Sequence, residues 1–171
     1  MVARASSSPL ADPWEVLRGI ADPEIPVISI VELGIVRGVT VNGGSVEVAI
    51  TPTYSGCPAI HAIEEDIDAA LRASGYSEVR VTQQLSPAWT TDWITNDARE
   101  RLREYGIVPP HLVQATAGTH GHRIHIFARG VNCPQCGSEN TEQLSAFGST
   151  ACKAMYRCID CREPFDYFKP L

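Results

Sequence analysis

Apolar positions along the chain switch between two periods, and the switches mark out the expected elements. The stretch "DPWEVLRGIA" (12–21) opens a helix with Asp12 as N-cap, Pro13 at the first helical position and Glu15 as the third residue of a capping box; Val16, Leu17 and Ile20 face a core. The prolines of "DPEIPV" (22–27) then withhold backbone donors and stiffen the chain. "IVRGVTV" and "SVEVAIT", joined by "NGG", alternate with period two and predict a β-hairpin over 35–51. Ile60, Ile63, Ile67 and Leu71 form one stripe of a helix from about 58 to 73. "SEVRVTQQL" (77–85) predicts a third strand with Val79 and Val81 inward. "TNDARERLREYG" (95–106) predicts a charged amphipathic helix that Gly106 terminates.

These patterns give an α+β fold: a small domain of helices and a three-stranded sheet over 11–107, after a tail of residues 1–10. Residues 108–122 read as a linker, and 123–171 as a second domain entered by the strand "RIHIFA". The segment "PPHLVQATAGTHGHRIHIFARG" (109–130) holds His111, His120, His122 and His125, which read as an exposed linker with stray metal affinity. Residues 1–107 carry eight arginines, no lysine and fifteen acids, a balance of −7, whereas 108–171 carry six bases and five acids, +1. An acidic body lacks the basic face from which nucleic-acid binding draws its affinity, and suits basic protein partners. No apolar run is long enough to cross a bilayer, and "MVARASSSPLADP" has no secretory core, so a cytoplasmic protein is expected.

The cysteines carry the strongest signal. Five of the six lie in the last 39 residues, and Cys133 and Cys136 repeat their spacing in Cys158 and Cys161 after twenty-one intervening residues. Each C-x-x-C turn can aim two thiolates at one ion, so the four suit the tetrahedral zinc of an antiparallel zinc ribbon, with a turn at Gly148. "EPFDYFK" (163–169) supplies a third strand whose Phe165, Tyr167 and Phe168 are expected to cover the site. So small a unit has little core and depends on its metal. The same four thiolates suit an iron–sulfur cluster, and Cys152, Cys158 and Cys161 form C-x5-C-x2-C, near a ferredoxin spacing. The other reading of Cys152 is a small buried hydrophobe.

Cys57 stands apart, within "TPTYSGCPAIH" (51–61). With Pro58 at the first helical position it falls at an N-cap, where the amides of Ala59 and Ile60 and the helix dipole favour a thiolate, with His61 one turn on. It reads either as a reactive thiolate or metal ligand, or as a cysteine that packs on the Ile60 stripe. A catalytic Cys57–His61 pair lacks an identifiable third member.

"DPEIP" (22–26), "VELGIV" (31–36) and "TPTYSGCPA" (51–59) resemble the small domain shared by bacterial SufT and the eukaryotic cytosolic iron–sulfur assembly factors. More narrowly, "PAWTTDWIT" (87–95), "DARERLREYGI" (97–107) and "FGSTACKAMYRCIDCREPFDYFKP" (147–170) resemble the PaaD family, accessory proteins of the multicomponent phenylacetyl-CoA epoxidase. The resemblance implies a non-catalytic accessory factor that matures the iron or iron–sulfur centres of that complex, with oxygenase or reductase subunits as partners and a homodimer compatible with it. It implies that Cys57, with Asp22, is a transient ligand of iron or a cluster, with Glu24 in support; His61 and Cys152 are further candidates for support on spacing alone. Structural zinc belongs to the four ribbon cysteines. A permanent structural subunit or scaffold, or a Cys57-dependent thiol enzyme, are the alternatives. The sequence has neither the Glu-x-x-His pattern of a ferritin-like di-iron site nor the G-x-G-x-x-G of a dinucleotide fold, which argues against an enzyme.

Overall fold

A computed structural model of the chain describes residues 10–110 and 131–170. The fold is mixed α and β with two small sheets and three α-helices among the described residues, in two compact units that divide between Trp89 and Thr90. The reading of "RIHIFA" as a strand and of the four linker histidines falls outside the described residues.

In the first unit, helix α1 (Pro13–Arg18) starts at Asp12, whose carboxylate accepts the Trp14 amide at 3.1 Å. The reciprocal half of the capping box does not form, because Glu15 instead accepts from Arg18 at 2.5 Å. Strands β1 (Val36–Asn42) and β2 (Ser45–Ile50) make the hairpin around Gly43 and Gly44, with Asn42 opposite Ser45; Gly43 has φ +61°, a conformation that favours glycine. Helix α2 (Ala59–Ala73) carries the chain back so that β3 (Glu78–Gln83) can lie parallel to β2, a pairing no tight turn could make. The α2 stripe is Ile60, Ile63, Ile67 and Leu71, all buried, and with Leu17, Val46, Val48 and Ile50 it forms the core. The proline-rich segment folds back on itself through Asp22 N–H to Ile28 O and Ile30 N–H to Ile20 O, at 2.9 and 3.0 Å.

The second unit begins with a 3₁₀ turn (Thr91–Trp93) and α3 (Asn96–Glu104), capped by the Thr95 hydroxyl accepting from Ala98 N–H at 3.2 Å. Gly106, at φ +93°, ends the helix. Two residues, β4 (Ile107–Val108), then pair in parallel with the last strand. The order across the sheet is β4, β7 (Pro164–Phe168), β6 (Lys153–Cys158), β5 (Thr141–Ser145), antiparallel apart from β4. The units therefore divide ahead of α3, earlier than the boundary expected at residue 107. Strand β4 is the reason, since Val108 pairs opposite Tyr167 and packs on the ribbon core of Val131, Cys133, Cys158 and Phe165.

Arg99 holds the start of this unit together. It is 8% exposed, and its guanidinium donates to the carbonyls of Ile94, Pro110 and Thr91. Replacing it strands three carbonyls that have lost a charged donor, so Arg99→Ala is expected to destabilise the second unit by about 2–4 kcal/mol. Hydrogen exchange of the α3 backbone amides checks this, and unchanged protection would contradict it.

Candidate functional site

Among the described residues, the one group of three or more His, Cys, Asp or Glu side chains able to share an ion is Cys133, Cys136, Cys158 and Cys161, whose sulfurs all lie within 4.8 Å of one another. The first knuckle closes when Gly137 N–H reaches Cys133 O and Cys133 N–H reaches Ser138 O, both at 2.9 Å; Gly137 supplies φ +76° there. The second follows β6, and Arg162, at φ +68°, turns the chain into β7. Two sulfur pairs meet across the knuckles, Cys133 to Cys161 and Cys136 to Cys158, each at 3.6 Å. Tetrahedral zinc with Zn–S bonds near 2.3 Å sets its sulfurs about 3.8 Å apart, so the four fit a single ion. A cluster interposes two or four irons and spreads its thiolates further.

The electrostatics also call for a cation. The Cys161 amide, which reaches the Cys158 sulfur at 3.4 Å, leads the effects that bring the Cys158 thiol down to about 7 against the opposing cost of burial. At Cys161 the Glu163 amide favours the thiolate, but burial and the sulfurs of Cys158, Cys136 and Cys133 outweigh it and push the thiol up to about 12. Cys136 is raised too, because its neighbouring Cys158 sulfur and burial overcome the Ser138 amide. The site can lose one proton readily but not the last without a positive ion among the sulfurs. Tyr156 stacks on Phe165 at 5.8 Å and meets Tyr167 edge-on at 5.7 Å, and these rings pack against Cys133 and Cys158. Phe168 does not join them. Three residues beyond Phe165 in a strand, it takes the other face, opposite Lys153.

Cys152 is buried just ahead of β6, its sulfur 2.9 Å from the Thr150 hydroxyl. The six residues of strand that follow place it roughly 20 Å from Cys158, so it cannot share that centre. The packing reading of Cys152 is the one the geometry favours.

Cys57 lies in the first unit, in the loop between β2 and α2. The helix starts one residue later than the spacing suggests, with Pro58 as N-cap and Ala59 first, so Cys57 sits before the cap. The Ile60 amide donates to the Cys57 carbonyl at 3.3 Å, and no described residue hydrogen-bonds the sulfur, which is part of a residue 8% exposed. Gly56, at φ +82°, makes the turn into it. His61 makes no hydrogen bond to this thiol: its side chain is 82% exposed and turns to Glu64 at 3.3 Å. Asp22 is buried, and one carboxylate oxygen accepts the amides of Glu24 and Ile25, both at 2.9 Å, so it orders the "DPEIP" turn. Glu24 is half-buried on that turn. None of Cys57, Asp22, Glu24 and His61 enters a group of three or more convergent ligand atoms among the described residues.

Sequence reasoning overlooked Thr51. It is 1% exposed, its amide donates to Ile35 O at 2.8 Å, and its buried hydroxyl has no partner among the described residues. A threonine opening the "TPTYSGC" loop was the available signal.

Comparison with known proteins places these two sites in context. Residues 11–82 match the iron–sulfur cluster assembly protein family, and residues 120–169 match the PaaD zinc beta ribbon domain. Over 157 residues, 91% of this chain and 90% of the relative, it is 54% identical to a putative 1,2-phenylacetyl-CoA epoxidase subunit of Escherichia coli K12. The chain belongs to the PaaD family. It is also 34% identical over 88 residues to an Fe-S protein maturation auxiliary factor of Porphyromonas gingivalis, covering 50% of this chain and 83% of that one. A solved domain of unknown function, DUF59, from Bacillus anthracis is 27% identical with a TM-score of 0.49, covering 53% of this chain and 87% of that one. In this PaaD family member no described helix is long and apolar enough to cross a membrane.

Protons and a metal ion compete for the ribbon sulfurs, which fixes the sign of the pH dependence. The contribution of Cys158, whose thiol is lowered to about 7, is present above the ordinary thiol range and is lost as pH falls through that value. The centre is expected to keep its metal at about pH 8 and to surrender it to a chelator by about pH 5. Metal content after equilibration across that range checks this, and retention at the acid end would contradict it.

Proposed function

We propose that the protein is a non-catalytic accessory factor that helps to place iron or an iron–sulfur cluster in subunits of a phenylacetyl-CoA epoxidase. In this reading zinc is the resident ion of the ribbon and Cys57 is the transient ligand of the cargo. The observation that carries it is the division of the thiols: four converge at the end of one sheet, while Cys57 lies in the other unit with no group of convergent ligands among the described residues. Four thiolates retain an ion. A single protein sulfur holds cargo weakly enough to yield it to a client's own ligands by exchange. The match of residues 11–82 to iron–sulfur assembly proteins supports that role for the first unit, and the likeness of the chain to a maturation factor agrees with it.

The surroundings of Cys57 suggest how the loop works. Asp22, one of whose carboxylate oxygens accepts two amides, acts as the orienting group of the "DPEIP" turn. The unpartnered Thr51 hydroxyl sits six residues before Cys57 in the same loop, a buried polar group available to a ligand. The near-burial of Cys57 means that cargo reaches the sulfur when the loop opens around Gly56. That burial also favours a second reading, in which the protein is a permanent subunit and Cys57 only packs.

Producing the epoxidase in cells with Cys57→Ser separates the two. The carrier role predicts that iron content and activity of the partner subunits fall together while the amount of this protein does not change. Full iron content and activity with the variant would remove the carrier role and leave the scaffold.

A further inference from the structure

The two knuckles of the ribbon are joined by more than the ion. Asp160, inside the second C-x-x-C, accepts from Ser138 Oγ at 2.5 Å on one carboxylate oxygen and from Asn140 Nδ2 at 2.8 Å on the other. Ser138 and Asn140 follow closely on the first C-x-x-C. The bridge is braced from both sides: the Ser138 hydroxyl accepts Asn140 N–H at 3.0 Å, and Asn140 O accepts Ile159 N–H at 2.8 Å. A carboxylate with both oxygens engaged across the site therefore fixes the spacing of the knuckles.

We infer that Asp160, clamped by Ser138 and Asn140, is a positioning residue that sets how firmly the four-cysteine centre retains its ion. The inference rests on the reading that Cys133, Cys136, Cys158 and Cys161 hold a metal. It assigns the clamp to the resident ion and not to the cargo of Cys57. Groups that orient metal ligands from outside commonly cost about 10–100-fold in affinity when removed. Without the clamp the knuckles separate more readily, and a thiolate that leaves the ion is less often recaptured.

The test uses the full chain loaded with zinc and follows zinc transfer to a chromogenic chelator at constant pH. Asp160→Ala is expected to transfer zinc at least about 10-fold faster than the wild type. Asp160→Asn, which keeps one acceptor oxygen, should fall between them. The double variant Ser138→Ala/Asn140→Ala removes the same bonds from the other side together with the Asn140 N–H to Ser138 Oγ brace, and should release zinc at least as fast as Asp160→Ala, with no further effect when Asp160→Ala is added to it. Arg157→Gln removes an exposed ion pair to Glu142 on the same sheet without touching the clamp, and should release zinc at the wild-type rate. Wild-type rates in Asp160→Ala, or equal acceleration in Arg157→Gln, would overturn the positioning role while leaving the metal centre standing. A wild-type chain that takes up no metal would remove both.

Discussion

Four cysteine sulfurs drawn to within 4.8 Å of one another are the constraint on which the second unit depends. Burial and the three neighbouring sulfurs together push the Cys161 thiol up to about 12, so the cluster resists full deprotonation on its own. A small antiparallel sheet offers little apolar burial to hold them there, with one compact cluster around Val131, Cys133, Cys158 and Phe165. An ion among the sulfurs turns mutual repulsion into attraction and ties the knuckles to β6 and β7 at one stroke. Strand β4 and the Arg99 clamp complete the sheet from the upstream side, so the ribbon borrows chain from beyond its own cysteines.

The first unit is built on a different principle. Its isoleucine-rich stripe and hairpin bury a conventional core, which leaves the loops free to carry chemistry. The "DPEIP" turn is fixed by Asp22, and the loop into α2 by Gly56 and Pro58. One loop holds both a thiol that is neither exposed nor hydrogen-bonded by a described residue and a threonine hydroxyl left without a partner among them. That is a costly arrangement for a core and a reasonable one for a loop that opens to a ligand.

Much of this was legible along the chain because it rests on local period. The α2 stripe, the "NGG" hairpin and the doubled C-x-x-C spacing declare themselves within a few residues, and each stands in the structure. The rest depends on partners distant in sequence. Strand β4 is two residues long, too short to show alternation, and its partner Tyr167 lies nearly sixty positions later. Cys57 falls one place outside the cap because Pro58 itself takes that position. The face of Phe168 was open to sequence reasoning, since an odd spacing in a strand always changes face. The bonds from Ser138 and Asn140 to Asp160 were beyond it altogether, being side-chain contacts across a turn that only the closed ribbon creates.

The central claim is that one resident ion and one transient ligand occupy separate places in the chain. The most direct measurement is zinc, iron and acid-labile sulfide per chain in anaerobically purified wild type and Cys57→Ser. The account predicts close to one zinc in both proteins, with any iron and sulfide lost from the variant alone. Iron and sulfide that persist in Cys57→Ser and disappear on removing Cys158 would contradict it, by placing a cluster on the ribbon.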